Sequence, residues 1–103
     1  MLVDGAVRFS KIAREALVEK DIKKSHEYLI KVQDIFTELM VSLDQSAGEW
    51  AKQIYQVYEF IKMRLFEINL KKDVKMMDEL MPLIENIRDT WYEAYESLKK
   101  INK

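Results

Sequence analysis

Cysteine is absent, proline and histidine each occur once, and glycine occurs only twice in a chain of 103 residues. Without cysteine there is no disulfide framework, zinc ribbon or thiol nucleophile, which agrees with a cytosolic address. The single histidine, His26, has Lys23 rather than a glutamate three residues before it. That excludes the paired Glu-x-x-His ligands of a di-iron or di-manganese helical bundle. No Gly-x-Ser-x-Gly elbow presents a serine and no glycine-rich loop can cradle a phosphate, so no catalytic residue, metal or cofactor is expected. Neither sign of charge dominates: 17 basic and 18 acidic residues leave a net −1, without the basic block of a nucleic-acid interface. No apolar run approaches the roughly eighteen residues of a membrane span, and the start carries no signal-peptide pattern, so no membrane insertion is expected. Two glycines and one proline are also too few for all-β or doubly wound α/β folds, which need a turn signal roughly every eight to twelve residues.

What is present is helical. Apolar residues make up 49% of the chain and charged ones 34%, and the apolar ones recur at three- and four-residue spacing. The spacing predicts one domain over 1–103, with helices at about 1–19, 22–43, 49–71 and 74–100. Lys20-Asp21 and Lys72-Asp73 each place a helix-capping aspartate directly after lysines that complement the preceding helix C-terminus. Asp44-Gln45-Ser46-Ala47-Gly48 is the one real loop, with Gly48 free to adopt a positive φ and Glu49 suited to the next first turn. Such short connections predict an all-α, antiparallel up-down four-helix bundle. Pro82 falls inside the fourth helix and is expected to kink it. A weak internal repeat, Lys20-Asp21-Ile22-Lys23 against Lys72-Asp73-Val74-Lys75, supports two helical hairpins.

A helical wheel assigns the core to Leu2, Ala6, Phe9, Ile12, Ala13, Ala16 and Leu17 on the first helix. The second supplies Ile22, Tyr28, Leu29, Val32, Ile35, Phe36, Leu39, Met40 and Leu43, and the third Trp50, Ile54, Val57, Tyr58, Ile61, Leu65 and Ile68. The fourth supplies Met76, Met77, Leu80, Leu83, Ile84, Ile87, Trp91, Ala94, Tyr95 and Leu98. About two-thirds of the apolar residues fit these stripes and the remainder do not. Tyr55 and Phe66 fall on one flank of the third helix, Phe60 and Met63 on the other. The second helix carries a second stripe, Ile30, Thr37 and Val41, with His26 and Gln33 beside it. Single exposed apolar residues are ordinary, but aromatic clusters and a repeated second stripe mark a partner surface. Ile30, Gln33, Thr37, Val41, Tyr55, Phe60 and Phe66 are therefore the candidate docking residues, with Gln33 as a polar anchor. Charge pairs such as Glu27 with Lys31 read as solvated helix faces.

Beyond these patterns, the order of several short segments resembles the flagellin-specific export chaperone family, FliS. The resemblance runs through Leu2-Val3-Asp4-Gly5-Ala6-Val7-Arg8-Phe9, Lys31-Val32-Gln33-Asp34-Ile35 and the Leu39, Leu43-Asp44 helix end. It continues in Gly48-Glu49-Trp50-Ala51, Val57-Tyr58-Glu59-Phe60, Arg64-Leu65, Ile68-Asn69, Asp73 and Ile87-Arg88-Asp89 with Trp91. The family implies a cytoplasmic chaperone of the bacterial cytosol, without catalysis. It binds the C-terminal segment of flagellin, blocks premature polymerisation and assists delivery to the export gate of the flagellar type III apparatus. Val3 stands where the family usually has tyrosine. Family members also carry an N-terminal arm before this point, so the first helix is expected to extend upstream in the full protein. The alternative reading is a structural or scaffolding four-helix module that homodimerises through its exposed apolar strip.

Overall fold

The computed structural model describes residues 1–101, with side chains described through residue 97. Four long helices account for nearly all of it: α1 (Leu2–Val18), α2 (Ile22–Ser42), α3 (Glu49–Lys71) and α4 (Val74–Ile101). There is no strand among the described residues. A single 3₁₀ turn, Gln45–Ala47, lies in the middle connection. The expected boundaries agree with these to within about two residues, the usual uncertainty of a helix end.

The caps are chemical. Asp21 accepts from the Lys24 amide at 3.1 Å, and Asp73 accepts from the Met76 amide at 3.1 Å. Each aspartate thus satisfies one of the four free donors at a helix start. Asp44 holds the 3₁₀ turn in the same way, accepting from the Ser46 amide at 3.0 Å and the Ser46 hydroxyl at 2.5 Å. These two bonds also hold its carboxyl below the usual carboxylate range. Gly48 follows at φ 131°, ψ −175°, a region that side chains exclude. The two short connections have no glycine, and Lys20 and Lys72 adopt left-handed φ values of 61° and 52°. Left-handed backbone strains any residue with a Cβ. Lys20→Gly and Lys72→Gly are each expected to raise stability by about 1 kcal/mol, read as a higher urea midpoint at unchanged m.

Packing closes the four helices into a ring: α1 packs on α2 and α4, and α3 packs on α2 and α4. The diagonal pairs bring no Cα atoms within 8 Å of each other among the described residues. The α1 seam is made of small residues, with Ala6, Ser10, Ala13 and Ala16 all essentially inaccessible, which lets neighbouring helices approach. Gly5 serves the same approach, since a Cβ there would meet the Ile35 Cδ1 at 3.3 Å. Phe36, Leu29, Ile61, Leu65, Ile68, Met77 and Ile84 are the largest fully buried hydrophobic side chains. At the edge of the core Phe9 packs against Tyr28, ring centroids 5.7 Å apart, with the Lys31 ammonium within 5.3 Å of both ring centres.

Several expected core residues are instead exposed: Leu2, Ile22, Trp50, Trp91, Ala94 and Tyr95. Leu98 lies outside the described side chains. In their place Val3, Val7, Ala51 and Met81 are buried, together with the polar Ser10, Ser25 and Gln33. The misplaced residues share an axial position. Leu2, Ile22 and Trp50 lie in the first turn of their helices, at the ends of the bundle. Trp91, Ala94 and Tyr95 lie in the last third of α4, whose 28 residues span about 42 Å against about 26 Å for the 17 residues of α1. The longer helix overhangs its neighbour. Trp91 is nonetheless anchored, its indole N–H donating to the Tyr58 hydroxyl at 2.9 Å. Burial pushes the Tyr58 phenol up, and the Trp91 bond opposes that shift. Nearby, Tyr92 donates to Asp4 at 2.6 Å and ties the overhang to α1. That bond lowers the Asp4 carboxyl and raises the Tyr92 phenol.

The helix continues through Pro82. Pro82 and Asp78, whose carbonyl loses the Pro82 donor, both lie on the exposed side of α4, so water can satisfy that carbonyl. No helix among the described residues is long and apolar enough to cross a membrane.

Candidate functional site

Where α2 lies beside α3, two clefts of about 410 Å³ each run end to end. The first is lined by Gln33 and Met40 of α2 and by Glu59, Lys62, Met63, Phe66 and Glu67 of α3. The second is lined by Thr37, Met40, Val41, Leu43, Gln45, Tyr55 and Lys62. Met40 and Lys62 border both, which makes the pair one trough along the helix seam. Its apolar residues are far from covered: Phe66 is 56% exposed, Met63 60% and Val41 81%.

The polar groups in the trough have defined roles. Thr37 donates its hydroxyl to the Gln33 carbonyl, one turn back, at 3.0 Å. This spends the hydroxyl on the backbone. Gln33 is only 9% exposed, and its Nε2 is buried without a hydrogen-bond partner. A buried amide without an acceptor costs about 1–3 kcal/mol, so this nitrogen is a destabilising feature of the free protein, and it has essentially no surface open to the trough. On the rim, Glu67 pairs with Arg64 at 3.5 Å, while Glu59 and Lys62 contribute one charge of each sign. The trough therefore has an apolar bed, a buried amide in its wall and a rim of two carboxylates and one lysine. That suits an extended or helical peptide bearing apolar side chains.

Five of the expected docking residues meet here: Gln33 and Phe66 in the first cleft, Thr37, Val41 and Tyr55 in the second. Phe60 does not join them. It lines a separate recess of about 120 Å³ between α3 and α4, with Arg64, Met76, Glu79, Leu80 and Leu83, and the Arg64 guanidinium lies 5.5 Å from its ring centre. Ile30 is half-buried and borders neither cleft. Gln33, read from the wheel as part of a second surface stripe, is instead buried, because α3 covers that side of α2. The wheel placed Met40 and Leu43 in the core, yet both are half-buried and line the trough. Lys62, Glu59 and Glu67 gave no sequence signal beyond their position beside Met63 and Phe66. His26, an expected boundary residue, lies outside the trough with its Nδ1 2.9 Å from the Asn69 amide nitrogen. Among the described residues no three His, Asp or Glu side chains are grouped so as to hold a metal ion.

A family model described as flagellar protein FliS matches residues 1–98. The chain belongs to the FliS family. Curated FliS relatives agree with that assignment. The flagellar secretion chaperone FliS of Bacillus subtilis is 31% identical over 100 residues, covering 97% of this chain and 74% of the relative. The Salmonella typhimurium chaperone of the same name is 33% identical over 93 residues, covering 88% and 69% of the two chains. That of Escherichia coli is 33% identical over 98 residues, covering 91% and 71%. The trough thus lies on a chain of the FliS family, whose curated relatives are named flagellar secretion chaperones.

Proposed function

We propose that this FliS chain acts in the bacterial cytosol as a chaperone for flagellin, binding the flagellin C-terminal segment without any catalytic step. Held in this way, the segment is kept from polymerising and is presented to the flagellar export gate. The single observation that carries the reading is the trough between α2 and α3, with exposed Met63 and Phe66 and half-buried Tyr55. A segment that is disordered when free orders itself along this bed, with Gln33, its side chain turned outward on binding, as the polar anchor. Ile30 and Phe60 extend the contact at either side for a segment long enough to wrap the bundle. The four helices serve as a single antiparallel, up-down domain, whose rigidity fixes the spacing of the side-chain pockets.

Calorimetric titration with the C-terminal flagellin peptide of the same organism tests the reading. One peptide should bind per chain with a negative heat-capacity change, the mark of apolar burial. Light scattering on the same samples separates the scaffold reading, under which the chain stays dimeric and ignores the peptide. Absence of binding heat at several temperatures would sink the chaperone assignment.

A further inference from the structure

The repeated segments Lys20-Asp21-Ile22-Lys23 and Lys72-Asp73-Val74-Lys75 have no part in the α2–α3 trough. The fold nevertheless brings both to one end of the bundle, where they line a single open recess of about 360 Å³. The α1–α2 connection and its flanks contribute Val18, Lys20 and Ile22, and the α3–α4 connection contributes Lys72 and Val74. Leu17 and Ser25, both buried, complete the lining with Ala16. The recess is apolar apart from three groups. The Ser25 hydroxyl is already spent on the Ile22 carbonyl at 2.9 Å, which leaves Lys20 and Lys72.

No carboxylate answers these two ammonium groups. The carboxylates nearest in sequence are Glu19, Asp21 and Asp73; none of them forms an ion pair with either lysine among the described residues, and Asp21 and Asp73 accept from the amides of their own helix starts. Among the described residues neither lysine forms an ion pair, and the Lys72 Nζ donates only to the neutral Asn69 Oδ1. Partial burial holds the Lys72 ammonium below the ordinary lysine range, the sign of a cation lacking compensation. An apolar recess with two uncompensated cations complements an apolar group that ends in one negative charge.

We infer that this recess receives the C-terminal carboxylate of a bound polypeptide, with the carboxylate at Lys20 and Lys72 and an apolar side chain near the chain end against Leu17, Ile22 and Val74. A chain end fits better than an internal acidic residue. An internal residue would bring peptide groups on both sides into a largely apolar recess, at the cost of burying amides away from water. A chain end brings them from one side only, and the open recess lets the preceding residues continue over the surface. The inference rests on the reading that a client's C-terminal segment is held. It adds where the last residue of that segment sits.

Titration of the full chain with the flagellin C-terminal peptide in two forms, free acid and C-terminal amide, decides it. The acid is expected to bind about tenfold tighter than the amide. The difference should vanish in a Lys20→Gln, Lys72→Gln double variant whose circular dichroism is unchanged. Equal affinity of acid and amide for the unaltered protein overturns the inference and leaves the chaperone reading standing. Failure of both forms to bind overturns both. Octanoate saturating the recess while acid and amide peptides bind alike assigns it to a free amphiphile and likewise overturns the inference.

Discussion

Replacing Phe36 with alanine is expected to lower the free energy of unfolding by about 4 kcal/mol, near the upper end for a large-to-small core change. Phe36 is completely buried, and its ring lies 5.8 Å from that of Tyr58, tilted by 59°. It sits on α2, which packs on both α1 and α3, so its removal opens a void that no single helix can close by shifting. A domain of this size has a total stability of roughly 5–15 kcal/mol, so the loss is a large fraction of the whole. In a thermal melt the midpoint should fall by roughly 20 °C. Phe60→Ala supplies the comparison, since Phe60 is about half exposed and its removal should cost no more than about 0.5 kcal/mol. Equal losses at the two positions would mean that the core is centred elsewhere.

The second large effect concerns binding rather than folding. A Met63→Glu, Phe66→Glu double variant is expected to weaken flagellin-peptide affinity by about 100-fold, since each buried apolar side chain is worth roughly 1.5–3 kcal/mol and the carboxylates resist burial. Both positions are mostly exposed in the free protein, so the melting midpoint and helicity should hold steady. This dissociation of affinity from stability separates a docking surface from a core. Phe60→Glu should weaken binding only a few-fold, because its recess with Arg64 lies on the far side of α3. An unaltered affinity in the double variant, measured by calorimetry, would remove the trough from the binding path.

How much of this could be read from the chain differs sharply between local and lateral features. The helix ends were legible because their determinants lie within four residues: Asp21 and Asp73 reach the amides three positions ahead, and Gly48 supplies its own φ. The candidate site was legible in part. Phe66, Tyr55, Thr37 and Val41 stand out as apolar or semi-polar residues off the main stripe, and they do meet in the trough. Phe60 stands out by the same measure and does not, while Met63, set on the same flank as Phe60 by the wheel, lines the trough beside Phe66. Gln33 lines the trough beside the second stripe, yet it is buried rather than on the surface, which no periodicity reports. The wheel's errors at Ile22, Trp50 and Trp91 have one cause. A wheel records the angle of a residue about its axis and nothing of its height along it.

By itself, therefore, the sequence determined that this protein is four helices, two of them opened by capping aspartates, that its charges balance, and that FliS-like segments follow one another in family order. Each of these depends on interactions within a few residues or on the order of residues along the chain. Only the tertiary structure decided which apolar positions are covered, that α2 and α3 leave an open trough between them, and that two distant lysine-aspartate repeats share one recess. Those properties belong to pairs of helices. Burial and cavity shape arise from relative height and lateral neighbour, which the helical period leaves free and packing alone settles.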